Sequence, residues 1–490
     1  MNINSRSNSS SPRIGTIAER EKSNNFPIEQ LTKTLDEIIY DKELALPGNF
    51  HQLHLHDDSQ RSMLVNAILD WPKLDSGGKI AMLQAMGQGF PETLHLTSRA
   101  VAVDAFVDFI ADPDCSLDRL GLDITSLIDL DFERIARALQ NLSSLTDLSL
   151  HSFGTKWFGE PVAAILDNNR SLKLFSLTGL PMNTEDGSIV IQALKSNTSL
   201  ESLIFSYNEI DEACAFLIAE SVARNRNLLS LQFVGNRLKD SGVEHICKLL
   251  EKSNVQTLEI TDGGITQASI RRLLSTPLLV LALGGPEINN EVAKQIAASM
   301  ASNTSLKTLD LAFCGIGNEG VAALAGMLKT NDSLEELDLS FNKFDNAGFK
   351  AIGAILKNNV SLIDLKLHNN HPRLSGFEAL RMGVWHNLNL RSLTCEYSMD
   401  HNHGKWWNRL PSFYRIQIEQ EIEIIDWCIK QNQDAERRFV FTGAFACLLS
   451  KQYLPADVVT QIGRFVWRLS RVSGEELADL VDPRPLQTKK

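Results

Sequence analysis

Apolar residues recur along the chain in one repeated pattern, LxxLxL. The first positions of successive copies are Leu117, Leu145, Leu172, Leu200, Leu228, Val255, Leu278, Leu306, Leu334, Leu362 and Leu390. Every step between them is 27 or 28 residues except one of 23, from Val255 to Leu278. Weaker copies precede them at Phe50-Leu53-Leu55 and Pro91-Leu94-Leu96. Each copy opens with alternation, as at Leu309 and Leu311 or Leu337 and Leu339, which predicts a short strand with one face buried. It then shifts to helical spacing, as at Val321, Leu324, Ala325 and Leu328, or Phe349, Ile352, Ile355 and Leu356. A single strand–helix unit of this length cannot bury its apolar face alone, so the copies are expected to stack.

The stretch "LKTLDLAFCGIGNEGVAALAGMLKTNDSLEELDLSFNKF" resembles the ribonuclease-inhibitor class of leucine-rich repeat, in which LxxLxLxxN/CxL is followed by a full α-helix. Similar repeats occur in the sensing regions of NOD-like receptors, in Ran GTPase-activating proteins and in bacterial type III effectors. The resemblance covers about residues 90–400. It implies an α/β leucine-rich-repeat solenoid, a horseshoe with parallel strands on the concave face and helices on the convex one. The motif is specific for fold and nearly silent on function. At the ninth position such repeats carry Asn or Cys, whose side chain can bond backbone groups where the strand turns out of the sheet. Here it is Asn208, Asn236, Cys314, Asn342 and Asn370, with departures at Phe153, Leu180, Gly263 and Pro286. The last two flank the 23-residue copy, where a shortened helix and a local change of curvature are expected.

The two ends are different material. Residues 1–30 open with "MNINSRSNSSSP" and predict a disordered leader. No basic start leads into an apolar run, so a secretory signal is not expected. Such Ser/Asn-rich leaders resemble the secretion signals of type III effectors, and an ordinary floppy terminus fits as well. Residues 31–89 read as a helical N-terminal cap, 90–397 as the solenoid and 398–490 as a helical C-terminal module. That last segment holds four of the seven Trp and shows helical spacing at Ile418, Ile422, Ile425 and Ile429, and again at Val458, Ile462, Phe465, Val466 and Leu469.

Composition adds exclusions. With 48 Lys+Arg against 60 Asp+Glu, the net charge of −12 argues against a nucleic-acid or anionic-membrane binder. No apolar run approaches the ~18 residues of a membrane span. The seven cysteines are never spaced as CxxC and describe neither a disulfide framework nor a zinc cluster. A cytoplasmic location follows, or, for an effector, export without a signal peptide into a host cell. "LDSGGKIAML" lacks phosphate-loop spacing, so Lys79 is not a nucleotide-binding lysine. His51, His54 and His56 in "HQLHLHDD" fit the outer face of a degenerate first repeat better than a metal site, and His401 and His403 fit a turn. Cys428, beside Asp426, reads as a buried core cysteine rather than a nucleophile. No catalytic residue, metal or cofactor is expected, and enzymatic activity is not favoured. "YLPADVVTQIGRFVW" (Leu454, Pro455, Val458, Ile462, Phe465) resembles the opening of F-box-like motifs, so a ubiquitin-ligase component with the repeats selecting substrate stands as the alternative.

In the implied geometry positions three, five and seven of each copy point into the concavity, with position eight at its edge. The last four copies place there Asp310, Glu336, Asp338, Asp364 and Glu396 against one base, Lys366, together with Phe313, Phe341 and Tyr397. Aromatic anchors ringed by charge are the composition of a protein-binding hot spot. Packing across the strand-to-helix turn would equally explain aromatics at position eight. If the patch binds, its protein partner presents a basic or aromatic-accepting surface and association weakens with salt. Earlier copies offer Ser202, Ser206, Ser230 and Thr257 with Tyr207, and look less committed.

Overall fold

The computed structural model describes residues 58–70, 76–86, 90, 94–96, 100–152, 158–182, 184–395 and 412–433. Its strands follow the copies: β1 (Leu94–His95), β2 (Arg119–Asp123), β3 (Asp147–His151), β4 (Leu174–Thr178), β5 (Ser202–Ser206), β6 (Ser230–Val234), β7 (Thr257–Thr261), β8 (Val280–Asn289), β9 (Thr308–Asp310), β10 (Cys314–Gly315), β11 (Glu336–Asp338), β12 (Asp364–Lys366) and β13 (Ser392–Thr394). All pair parallel and in sequence order, except that β10 sits off the path and pairs β8. The sheet is open, with a helix returning the chain between successive strands of its path, which is the leucine-rich-repeat solenoid that the periodicity predicts.

Register follows the leucines. Leu231, Leu258, Leu281, Leu309, Leu337, Leu365 and Leu393 are aligned across seven successive strands. A one-residue slip would turn this whole apolar row outward, so the pairing is strongly fixed. All of the alternating and helical positions singled out above, from Leu309 and Leu311 to Ile355 and Leu356, are buried in one continuous core. Each such side chain contributes roughly 1.5–3 kcal/mol.

Two rows of asparagine satisfy the backbone between copies. The ninth-position row behaves as the motif implies: Asn208, Asn236, Asn342 and Asn370 donate to the carbonyls of Leu177, Phe205, Leu311 and Leu339 at 2.8–2.9 Å. Cys314 donates weakly to the Leu283 carbonyl at 3.3 Å. A second row, not noticed in the sequence, lies at the other end of the helices: Asn169, Asn197, Asn225, Asn303, Asn331, Asn359 and Asn387, all but Asn303 buried. Asn331 is typical. Its Nδ2 donates to the carbonyls of Met300 (2.7 Å) and Asn303 (3.0 Å), and its Oδ1 accepts from the amides of Ser333 (3.1 Å) and Leu334 (2.9 Å).

That second row breaks at the 23-residue copy, where Ser253 and Thr276 stand instead. The helix there, Gln267–Leu273, has seven residues against ten to twelve in the neighbouring copies, as the short interval predicts. The strand that follows, β8, runs on for ten residues and reaches β10.

At the N-terminal side β1 confirms the weaker copy at Leu94 and Leu96. Helices Asp58–Asp70 and Ser76–Met86 precede it. Lys79 is buried and donates to the Leu69 carbonyl at 2.7 Å, a helix-end contact and not a phosphate cradle. After the repeats, helix Ser412–Gln433 buries Ile418, Ile425, Cys428 and Ile429, and its Glu421 pairs with Arg381. Burial pushes the Cys428 thiol up to about 12, which leaves it unreactive. The chain divides into a compact unit, Met1–Ile429, and a second, Lys430–Lys490. The 1–30 leader, the Phe50 copy with His51, His54 and His56, the turn with His401 and His403, and the F-box-like stretch lie outside the described residues.

Candidate protein-binding face

Position eight carries the unusual backbone. In eight successive copies, at Gly179, Tyr207, Gly235, Asp262, Gly285, Phe313, Phe341 and Asn369, φ is positive. The left-handed turn is therefore a property of the repeat, needed to lead each strand into its helix. Glycine, Asn and Asp enter it at small cost, whereas a bulky residue does not. Phe313 (φ 54°) and Phe341 (φ 55°) do so all the same.

These rings do not pack into the core. Phe313 is 66% exposed and stacks on Phe341 with centroids 4.0 Å apart and planes 12° from parallel. Phe341 in turn meets the His368 ring edge-on at 5.1 Å. His368 is held by Ser340 Oγ at 2.8 Å from its Nδ1. Packing across the turn thus fails to account for Phe313, and the pair forms an exposed apolar ledge. Tyr207 shares the backbone conformation and is 58% exposed. Its ring lies against Gly235, where a Cβ would come within 2.4 Å of it.

The ledge borders a cavity of about 560 Å³ on the strand face. Ala282, Gly284 and Ala312 line it beside Glu259, Asp262, Asp310, Asp338, Phe313 and Phe341. Of the residues expected from sequence, Asp310, Phe313, Asp338 and Phe341 come together here. Glu336 and Asp364 are register partners on β11 and β12, on the same face but outside the cavity lining. One Asp364 carboxylate oxygen is buried without a hydrogen-bond partner. Glu396 and Tyr397 lie outside the described residues.

The carboxylates are unequal. Asp338 accepts from the Ser340 amide at 2.8 Å and lies 3.6 Å from Lys366 Nζ, the one base anticipated here. Asp310 accepts from the Ala312 amide at 2.8 Å, but burial, then the charge of Asp338, holds its carboxyl above the ordinary range. Glu259 is likewise raised, first by burial and then by Asp310. Glu259, Asp262 and Glu287 were missed in the sequence because the earlier copies were judged by their small residues, Thr257 among them. The available signal was Ala282 at position five, a gap between two acids in the same row. Asp262 and Glu287 converge on Gly285, whose φ is 118°: a Cβ there would stand 2.7 Å from Glu287 Oε2 and 2.9 Å from Asp262 Oδ1.

Among the described residues no helix is long and apolar enough to cross a membrane, and no group of His, Cys, Asp and Glu is arranged to hold a metal. What the face offers is flat aromatic surface, negative charge and an unfilled concavity. The geometry defines a repeat solenoid with an accessible strand-lined wall. Comparison with known proteins agrees: a model of the "Leucine Rich repeat" family matches residues 224–247, 302–325 and 330–353. The chain is thus similar to leucine-rich-repeat proteins of the ribonuclease-inhibitor kind. It is 26% identical over 234 residues to the pig (Sus scrofa) ribonuclease inhibitor, covering 41% of this chain and 47% of that protein. It is 30% identical over 142 residues to human (Homo sapiens) NACHT, LRR and PYD domains-containing protein 13, covering 28% of this chain and 13% of that one. The chain thus spans less than half the length of these relatives. Among solved structures, that of the Rad7 and Elc1 complex in yeast aligns over 73% of this chain and 94% of that one, at 15% identity and a TM-score of 0.38.

Proposed function

We propose that the chain is a protein-binding scaffold that captures a basic protein partner on its strand face, around the Phe313–Phe341 ledge and the acidic cavity beside it. The observation that carries this reading is Phe313: a large apolar ring, two-thirds exposed, kept in a backbone conformation where five of the eight copies use glycine, Asn or Asp. The exposed two-thirds of the ring serves neither folding nor solubility. It serves a protein interface, since one buried aromatic anchor contributes ~2 kcal/mol or more to binding. The name of the ribonuclease inhibitor supports a protein as the partner, and the carboxylates around the ledge support a basic one.

Capture from a cell extract by the full chain, followed by the same capture with the Phe313→Ala/Phe341→Ala double variant, tests the proposal. The variant is expected to lose its partner while melting close to the parent, and wild-type capture to weaken as salt rises. Retained capture by the folded variant would overturn the assignment. The readings as a secreted bacterial effector acting inside a host cell, or as a ubiquitin-ligase component, rest on residues 1–30 and 454–465. Nothing in the described residues favours either over the scaffold. A cytoplasmic location belongs with these proposals.

A further inference from the structure

Resting on the strand-face reading above, we propose that the cavity over Ala282 is a socket for one arginine side chain of the protein partner, its guanidinium bridging Glu259 and Asp310 and lying against the ring of Phe313. Glu259, Ala282 and Asp310 are register partners on β7, β8 and β9. Strands lie ~4.8 Å apart, so the two acidic Cα atoms stand about 9.6 Å apart with only a methyl group between them. That gap admits one planar cation with hydrogen bonds to a carboxylate on each side, and Ala282 forms its apolar floor.

Charge accounting on the same sheet points the same way. Neighbouring copies pair acid with base: Arg119 with Asp147 at 3.3 Å and Lys366 with Asp338 on the strands, and Lys173 with Glu201 and Lys307 with Glu335, both at 2.7 Å, one residue ahead of them. No ion pair among the described residues serves Glu259 or Asp310, although both are partly withdrawn from water. Asp310 is the like charge beside Glu259, and Asp338 the like charge beside Asp310. A carboxylate so placed is costly until a cation arrives. An apolar side chain in the gap would desolvate both acids without compensation, and an acidic ligand would be repelled.

The aromatic ledge selects among cations. One face of the Phe313 ring is covered by Phe341, and the ring as a whole remains two-thirds exposed. A guanidinium is flat, weakly hydrated and stacks on such a face while its edge nitrogens reach carboxylates; an ammonium is a compact, strongly hydrated point charge. The cavity exceeds one side chain in volume, so the arginine enters with part of the loop that bears it.

Ligand-observed NMR on the full chain tests the socket with three small probes: acetyl-arginine N-methylamide, its lysine counterpart and the citrulline counterpart, which keeps the shape and loses the charge. The arginine probe is expected to show saturation transfer, the lysine probe a weaker signal, and citrulline none. Glu259→Gln and Asp310→Asn should each weaken arginine binding about tenfold, the value of one charge-assisted hydrogen bond. Both variants should melt no lower than the parent, because each relieves like-charge repulsion. Equal signals from arginine and citrulline, or arginine binding unchanged in both variants, would overturn the socket. If partner capture depends on Phe313 and Phe341 while the arginine probe fails to bind, the socket is wrong and the scaffold stands. If the arginine probe binds as expected but the double variant still captures, the scaffold assignment fails by itself.

Discussion

Replacing Phe313 by glycine should leave the array more stable than replacing it by alanine, the reverse of the usual order inside a strand or turn of ordinary φ. Both substitutions remove the same ring. About a third of its surface is covered; for a side chain of ~200 Å² that is about 70 Å², or ~1.7 kcal/mol at 25 cal/mol per Å², with stacking on Phe341 adding ~1 kcal/mol. These losses cancel in the comparison. What differs is the backbone at φ 54°. Alanine keeps a Cβ and with it the ~1–2 kcal/mol cost of the left-handed region. Glycine escapes that cost but gives up roughly 0.5–1 kcal/mol in chain entropy. The glycine variant should therefore exceed the alanine variant by about 0.5–1 kcal/mol, by the difference of those two effects. Urea denaturation of the full chain, followed by far-ultraviolet circular dichroism, measures it as a shift in midpoint at unchanged slope. Leu309→Gly and Leu309→Ala supply the control, since β9 places that residue in extended backbone and there alanine should win. An alanine variant at 313 as stable as glycine, or more so, would refute the strained-turn argument and remove the main reason for assigning Phe313 to binding.

Two further expectations concern what holds the copies together and how they respond to pH. Asn331→Ala removes one donor from each of the Met300 and Asn303 carbonyls and leaves the buried amides of Ser333 and Leu334 without partners, and should cost ~2 kcal/mol or more. Asn254→Ala, which loses one exposed bond to the Arg226 carbonyl, should cost well under ~1 kcal/mol, and equal urea midpoints for the two would contradict the ladder. Glu259 and Asp310 are both raised in the folded chain, so folding favours their protonated forms. The stability they contribute is fully present below the ordinary carboxylate values of 4.5 and 3.8 and is lost as pH rises through their higher folded values. Glu259→Gln should flatten that part of the stability–pH curve and raise stability at neutral pH; a curve identical to the parent's would show that Glu259 is not under strain of charge.

The repeat was legible because it is enforced at every copy. A leucine at the fourth position meets a leucine on each neighbouring strand, so the spacing of Leu309, Leu337 and Leu365 is both the sequence signal and the packing. The ninth-position asparagines were legible for the same reason. The second asparagine row escaped notice because residues such as Asn303 and Asn331 stand in polar surroundings like "ASNTS" and "KTNDS", where a buried amide looks like an ordinary loop residue. Of the binding face, the acids and aromatics of regular copies could be placed by counting. Glu259 and Asp262 can be counted too, but their significance comes from what Ala282 omits on the next strand. Nor does spacing disclose a backbone conformation: the strain at Phe313 becomes visible only when the glycines at 179, 235 and 285 are seen to occupy the same turn.

The short copy explains why the cavity is where it is. In the copies on either side, position five carries a longer side chain, Gln232 and Glu259 before and Asp310 and Asp338 after, and Asp338 pairs with Lys366. The 23-residue copy and the strand after it place Ala282 and Gly284 at positions five and seven, and Ala312 follows on the next turn. The same copy shortens its helix to Gln267–Leu273 and loses two members of the asparagine ladder, so it is the least reinforced point of the array. Its helix is held partly by Arg272, which reaches Glu244 at 3.2 Å and Glu251 at 2.6 Å on the preceding copy. Local consistency is thus given up at the place where unpaired acids and an exposed aromatic pair adjoin. In a chain otherwise regular from copy to copy, that coincidence is what separates a site from a packing defect: a defect needs no carboxylates left without a cation, and a solenoid needs no phenylalanine in a turn made for glycine.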